Sequence, residues 1–470
     1  MLEVVRISRM FAVLTLNGAH PNRIRGVNSM DFDVLFIGSG HAAFDGAVPL
    51  GLNGQKVGVV EENLVGGTCP NYGCNAKITL EEPAEISHLL KQMAGRGLAA
   101  QTMNWHDTMI HKHEIIKKMP ALIESVLASG QVKIIRGHAR LQDAHTVIVD
   151  GQAYTAEKLV IATGARPHEL AIVGAEYLHD SQDFMSLAEI PAHITILGGG
   201  YIGMEFATIA LAAGAQVDVI VRHETILANF YQPFVTELVA SLKAEGVRFI
   251  MDTDVEKVQA QGANYLISGA GDFALETYYV LNATGRVPNV ENIGLDIVGV
   301  QYNAKGVVVD EFLQTSVAGI YAAGDVVDKQ VPKLTPTAIF ESHYLAKLLS
   351  GETTAPIKYP YVPTVTFTTP RIAMAGVTPD EAAAHPDVYE ITENNVRDDW
   401  YRQVRNENFG QNILVFDKAH HLVGITEISD RADEVVNAVL PAMEFGWGPA
   451  EFERLPMLFP SITASAFGQI

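Results

Sequence analysis

Cys69 and Cys74 are the only cysteines in a chain of 470 residues. They lie in Gly66-Gly67-Thr68-Cys69-Pro70-Asn71-Tyr72-Gly73-Cys74-Asn75-Ala76-Lys77, spaced C-x4-C. Disulfide-stapled proteins carry many cysteines, so a lone, closely spaced pair points to reversible thiol–disulfide chemistry. Geometry sets a condition on that chemistry. Residues five apart on a regular helix are separated by about 7.5 Å of axial rise, whereas a disulfide needs Cα atoms roughly 4.4–6.8 Å apart. The pair can close only where the helix is irregular or has not begun at Cys69, and Pro70 and Gly73 supply the irregularity. A strained, accessible disulfide is more easily reduced than a structural one. The alternative is two buried, inert cysteines. The position of the pair, directly after a dinucleotide-binding pattern, argues against it.

That pattern begins with the apolar run Asp33–Ile37, of strand length. Gly38-Ser39-Gly40-His41-Ala42-Ala43 and a helical stretch to Leu52 follow, and a second strand, Lys56–Val60, ends at Glu61. Gly38 and Gly40 allow a tight turn and close backbone approach to a pyrophosphate at the helix N-terminus, while the third position of G-x-G-x-x-A needs only a small residue. A second copy runs from the strand His193–Leu197 through Gly198-Gly199-Gly200-Tyr201-Ile202-Gly203 into a helix to about Ala213, then a strand Gln216–Val221. One such turn is weak evidence; two, each with flanking strands, are much stronger.

The offsets separate the two sites. Twenty-three positions after Gly38 stands Glu61; twenty-three after Gly198 stands Val221, followed by Arg222. A carboxylate accepts hydrogen bonds from a ribose diol and repels a 2′-phosphate, whereas arginine binds one. The first site therefore suits a cofactor with a free 2′-OH, such as FAD. The second leans toward NADPH, with NADH still open; a solvated surface arginine is the alternative for Arg222. Two similar strand-plus-turn segments, ending in Ala162-Thr163-Gly164 and Ala283-Thr284-Gly285, would each close one nucleotide-binding sheet, and a further strand ends in Gly324-Asp325. From about Tyr359 the pattern changes. Val362–Thr368, Ile413–Asp417 and Leu422–Glu427 read as strands and Asp433–Phe445 as a helix, a separate α+β domain without a nucleotide motif.

The net charge of −21 argues against nucleic-acid or anionic-membrane partners. No run of 18 apolar residues predicts a transmembrane helix. The arginine-bearing N-terminus has a short apolar stretch, Met10–Leu16, without a small-residue cleavage site. It reads as an extension over residues 1–30 outside the fold, Met30 being an alternative start, and the expected location is the cytoplasm. His106, His111 and His113 share one polar segment but have no cysteine or carboxylate cluster at ligand spacing, so no metal site is expected.

With G-G-T-C-x4-C between two dinucleotide units, the chain resembles the class I pyridine nucleotide–disulfide oxidoreductases, the glutathione reductase, dihydrolipoamide dehydrogenase and mercuric reductase group. The resemblance covers roughly residues 31–470. It implies an α/β fold with two Rossmann-like domains, one for FAD (31–165 and 286–350) and one for NAD(P) (166–285), plus a C-terminal α+β dimerisation domain (356–470) and a homodimer. It also implies roles. Cys69 would be the interchange thiol and Cys74 the thiolate against the flavin. Lys77 and Glu205 would pair near flavin N5, and Tyr201 would be the lid that moves when nicotinamide binds. Gly38, Ser39, Gly40, Glu61, Thr68, Thr163, Gly164, Asp325 and Thr335, with the backbone at His138 and Ala139, would hold FAD. Gly198, Gly200, Gly203, Arg222 and Gly285 would hold NAD(P)H. NADPH-type members usually carry a second arginine six residues after the first, where this chain has Ala228.

One departure bears on the chemistry. Disulfide-reducing members end in His-Pro-Thr-x-x-Glu, whose histidine, from the partner subunit, serves as acid/base. Here the stretch is Phe459-Pro460-Ser461-Ile462-Thr463-Ala464, and no histidine follows His421. Loss of a general base typically slows a reaction by about 10²–10⁴. The first expectation is an NAD(P)H-dependent flavoprotein reductase of a small, glutathione disulfide-like substrate. Alternatives are a flavin reductase passing electrons to a metal ion, quinone or dioxygen, and a low-turnover flavoprotein with a sensing or binding role.

Overall fold

A computed structural model describes residues 30–470, and the N-terminal extension over residues 1–29 lies outside the described residues. The chain divides into two compact units, the first holding residues 30–76, 112–166 and 286–359 and the second residues 77–111, 167–285 and 360–470.

The first unit is built on a seven-stranded sheet. Its order is Lys133–Arg136, Val57–Glu61, Phe32–Ile37, Gln152–Ile161, Thr146–Val149 and Ala139–Leu141, with Ile320–Ala322 also pairing with Gln152–Ile161. The strands around Phe32–Ile37 are parallel, Val34 opposite Val57 and Lys158. Parallel strands covered on both faces read as continuous apolar runs. Accordingly Val34 and Phe36 enter one core with Leu50, Leu127 and Leu345, while Leu35 and Ile37 enter another with Leu141, Leu159 and Ile320. The helix His41–Leu52 crosses the helix Thr335–Ser350 so closely that a Cβ on Gly46 would lie 2.5 Å from the Ser342 carbonyl oxygen. Only glycine permits that approach, and it fixes Thr335 at the head of its helix.

The second unit contains a parallel sheet in the order Arg248–Ile250, Gln216–Ile220, His193–Leu197 and Tyr279–Asn282. A three-stranded antiparallel sheet covers residues 255–277. A five-stranded antiparallel sheet runs Thr364–Thr366, Arg371–Gly376, Leu422–Ser429, Gln411–Asp417 and Tyr389–Asn395. The helix Ala432–Glu444 buries Val435, Val436, Val439 and Met443 against Ala373, Ala375 and Ile425 of that sheet. No helix of the described residues is long and apolar enough to cross a membrane.

Candidate active site

The strands Phe32–Ile37 and His193–Leu197 lead into two near-identical glycine turns, one in each unit. Gly38 has φ +107°, and a Cβ there would sit 2.3 Å from the Ala162 carbonyl oxygen. Gly198 has φ +113°, and its Cβ would sit 2.4 Å from the Ala283 carbonyl oxygen. The alanine before each Thr-Gly thus forms the floor of the turn, which explains why the two segments recur. Gly40 and Gly200 are the N-caps of the helices His41–Leu52 and Tyr201–Ala212, and neither helix has a side-chain cap. Uncapped first-turn amides are what a pyrophosphate uses. Gly203 packs against the Gly198 carbonyl, 2.2 Å from a would-be Cβ.

Glu61 is more constrained than its offset suggests. It is buried, and its Oε2 accepts the Ser39 N–H at 3.1 Å and the Ser39 hydroxyl at 2.6 Å, while Oε1 accepts the Asn63 N–H at 2.8 Å. Ser39 Oγ in turn accepts the Gly66 N–H at 3.1 Å. A carboxylate offers about four lone-pair sites, so capacity for a ribose hydroxyl remains. The carboxylate therefore also ties the glycine turn to the loop that carries the cysteines. Gly67, which caps the helix Thr68–Tyr72, lies so near Gly40 that a Cβ would meet its Cα at 2.9 Å. Around the same strand end, the Gly137 N–H donates to the Glu61 carbonyl at 3.0 Å. The His138 N–H donates to Asp150 Oδ1 at 3.4 Å, and its ring binds Glu62 Oε2 at 2.7 Å. That contact holds the imidazole above its usual range. Ala139 starts the next strand and is buried.

Thr163 Oγ1 donates to the Asn289 carbonyl at 2.7 Å, and Asn289 returns bonds to the Thr163 and Gly164 carbonyls at 2.8 and 2.9 Å. Asp325 follows Gly324, whose N–H is held by Glu341 Oε2 at 2.7 Å. Glu341 is fully buried and also accepts from Lys329 Nζ at 2.6 Å and the Tyr359 hydroxyl at 2.7 Å. Sequence reasoning missed this cluster, since nothing local distinguishes Glu341 from any helical acid.

The cysteine loop meets the geometric condition. The helix Thr68–Tyr72 stops, Gly73 takes φ −131° and ψ −124°, and a new helix, Cys74–Gln92, starts at the second cysteine. A Cβ on Gly73 would lie 3.1 Å from the Cys69 Cα, so the chain folds back onto Cys69. Both cysteines are free thiols, Cys69 partly buried and Cys74 exposed. The Cys69 thiol is pushed far above the usual range, first by its hydrogen bond with Cys74, then by burial and by charge on Cys74. Thr335 Oγ1 stands 3.5 Å from Cys74 Sγ.

In the second unit, Lys77 Nζ lies 3.3 Å from Glu205 Oε1, both largely buried. The same Oε1 accepts the Phe367 N–H at 2.9 Å, and Lys77 Nζ stands 3.6 Å from the centroid of the Phe367 ring. Phe367 was not anticipated. Tyr201, the first residue of its helix, is exposed. Arg222 is 71% exposed and bonds Asp254 Oδ1 through Nε at 2.8 Å. The Gly285 carbonyl accepts the His168 N–H at 3.0 Å.

Farther along the helix Cys74–Gln92, Glu81, Glu82 and Glu85 bring carboxylate oxygens within 4.8 Å of one another. Arg371 supplies the countercharge, its Nη2 3.0 Å from Glu81 and 2.5 Å from Glu85, its Nη1 2.9 Å from Asp433. Burial pushes Glu81 up to about 7 against the pull of Arg371, and raises Glu85 as well. At the C-terminus Phe459 is 73% exposed, its ring 5.9 Å from that of Trp400. Ala464 lies on the helix Ile462–Phe467, capped by Ser461. Neither offers an acid or a base.

Comparison with known proteins agrees with this geometry. Residues 32–342 match the family "Pyridine nucleotide-disulphide oxidoreductase", and residues 362–466 match its dimerisation domain. A glutathione reductase of Nostoc sp. is 30% identical, covering 92% of this chain and 98% of that protein. A mercuric reductase of Staphylococcus aureus is 33% identical, covering 88% of this chain and 78% of the relative. The HOCl-induced flavoprotein disulfide reductase RclA from Escherichia coli shares the fold, with a TM-score of 0.84 at 24% identity over 93% of this chain and all of that one. The chain therefore belongs to the pyridine nucleotide–disulphide oxidoreductase family of FAD-dependent, nicotinamide-linked enzymes.

Proposed function

We propose that the protein is an NAD(P)H:disulfide oxidoreductase that reduces a small disulfide of the glutathione disulfide type through Cys69 and Cys74. The observation that carries this reading is the helix break at Gly73, which turns the chain back so that the two sulfurs meet. Bound FAD would supply the two-electron relay between nicotinamide and the cysteine pair. The chain's residues fit that group: Gly38 and Gly40 leave room for a pyrophosphate at an uncapped helix start, and Glu61 retains acceptor capacity beside them.

Within this reading, residues 31–165 and 286–350 form the FAD domain, 166–285 the NAD(P) domain and 356–470 the interface of a cytoplasmic homodimer. Thr68, His138, Ala139, Thr163, Gly164, Asp325 and Thr335 complete the flavin site. Gly198, Gly200, Gly203 and Gly285 receive NAD(P)H, and Tyr201, exposed at its helix start, moves aside. Arg222 favours NADPH, because its one exposed ion pair is readily exchanged for a 2′-phosphate. Cys69 attacks the substrate disulfide and one thiol leaves. Cys74 then attacks the Cys69 sulfur of the mixed disulfide, releases the second thiol and closes Cys69–Cys74. Lys77, anchored by Glu205, places a cation three residues after Cys74 on the same helix.

A second reading, electron transfer to a metal ion, quinone or dioxygen, is favoured by Phe459 and Ala464, which replace the acid/base pair. Steady-state oxidation of NADPH and NADH separates the two when run with a panel of disulfides, mercuric and cupric ions, a quinone and dioxygen. Disulfide turnover that disappears in Cys69→Ser supports the first. No turnover with any disulfide ends it, and fast turnover with the other acceptors that survives Cys69→Ser establishes the second.

A further inference from the structure

We infer that Phe367 is a positioning residue for Lys77, holding the ammonium at the flavin through the π face of its ring. The inference rests on the reading that Lys77 stands at the flavin. The geometry around the ammonium carries it. Lys77 Nζ is 3.3 Å from Glu205 Oε1, longer than the roughly 2.7–2.9 Å of a tight charge-assisted hydrogen bond. The second organising group is Phe367, whose ring centroid is 3.6 Å from Nζ, within the range of a close cation–π contact. The same residue's N–H donates to Glu205 Oε1 at 2.9 Å. One residue therefore steadies both members of the pair, the cation with its ring and the anion with its backbone.

The chemistry of the two anchors differs in a way that matters for a redox centre. A carboxylate in full contact would cancel the field of the ammonium. An aromatic face attracts the cation through its quadrupole and adds no net charge. A lysine held partly by a ring keeps more of its positive field for an acceptor that becomes negative on reduction. The ring is itself fixed. The Arg371 guanidinium carbon lies 5.2 Å from its centroid, and Arg371 is bound to Glu81 and Glu85, one and two turns beyond Lys77 on the same helix, and to Asp433.

The test uses the full-length, flavin-loaded protein. The two-electron midpoint potential of the flavin is measured by dye equilibration in wild type, Phe367→Leu, Phe367→Met, Phe367→Tyr and Lys77→Met. Loss of the ring face should lower the reduced-to-oxidised ratio about 3- to 30-fold in Phe367→Leu and Phe367→Met, a shift of about −15 to −45 mV for a two-electron couple. Phe367→Tyr, which keeps the face, should match wild type, and Lys77→Met should shift at least as far as Phe367→Leu. Wild-type potentials in both non-aromatic variants, with Lys77→Met shifted, overturn the proposal and leave the placement of Lys77 intact. A shift in Phe367→Tyr as large as in Phe367→Leu makes the ring a space-filler and also overturns it. So does loss of flavin from both non-aromatic variants. No shift in Lys77→Met removes the underlying reading instead.

Discussion

Arg371→Met should destabilise the protein by an amount that grows with pH. Arg371 is 5% exposed and binds Glu81 and Glu85, themselves 1% and 3% exposed, together with Asp433. Methionine fills much of the volume and removes the charge, leaving the two buried carboxyls without their cation apart from Arg431, 3.5 Å from Glu85. Breaking a buried pair by deleting one partner typically costs about 3–5 kcal/mol. The pH dependence follows from the direction of the shifts. In the native protein Glu81 is raised from 4.5 to about 7 by burial, although Arg371 pulls it down. A carboxyl raised in the folded state binds more protons there than in the unfolded chain. Its contribution is therefore fully present below pH 4.5 and is lost as pH rises toward the folded value. Without Arg371, Glu81 and Glu85 rise further, and the loss continues above pH 7, where wild type has levelled off. Each additional unit adds about 1.4 kcal/mol per group. Urea unfolding of the flavin-loaded protein at pH 5.5 and pH 8.5 measures the difference. The variant should lose less at pH 5.5, where Glu81 is largely protonated in the wild type, than at pH 8.5, where the loss should reach about 3–5 kcal/mol. Adding Glu81→Gln should restore part of the stability at pH 8.5 alone. An equal loss at both values, or a larger one at pH 5.5, would refute the reasoning.

Phe459→His combined with Ala464→Glu should raise the turnover of disulfides at least about tenfold, within the 10²–10⁴ range available to a general base; steady-state kinetics with glutathione disulfide checks it. Arg222→Gln should lower kcat/KM for NADPH about tenfold, the order expected for one charge-assisted phosphate contact, and leave that for NADH unchanged. Gly38→Ala forces a Cβ to within 2.3 Å of the Ala162 carbonyl oxygen, so the purified protein should lack flavin absorbance. Gly198→Ala meets the Ala283 carbonyl oxygen at 2.4 Å, so that variant should stay yellow and fail to be reduced by NAD(P)H.

The features legible in the sequence are those whose physical requirement is local. A turn that presses against a carbonyl demands glycine wherever it occurs, so Gly38 and Gly198 announce their strands and helices without any distant information. The break between Cys69 and Cys74 is legible for the same reason, because Gly73 and Pro70 act within a few residues. The pairing of Lys77 with Glu205 was reachable only through family resemblance, for 128 residues separate them. Phe367 and Arg371 had no such guide. Phe367 stands in an apolar, β-prone run where packing alone accounts for an aromatic. Arg371 has partners on a helix 286 and 290 residues earlier in the chain. A charge inventory shows that Glu81, Glu82 and Glu85 crowd one stretch of helix and need a cation, but their i, i+4 neighbours on that helix include only Lys77, which Glu205 and Phe367 already hold. That shortage is the one local sign that an arginine had to come from elsewhere in the chain. It also explains why the helix bearing Lys77 depends on the five-stranded sheet for neutralising its acids as well as for packing.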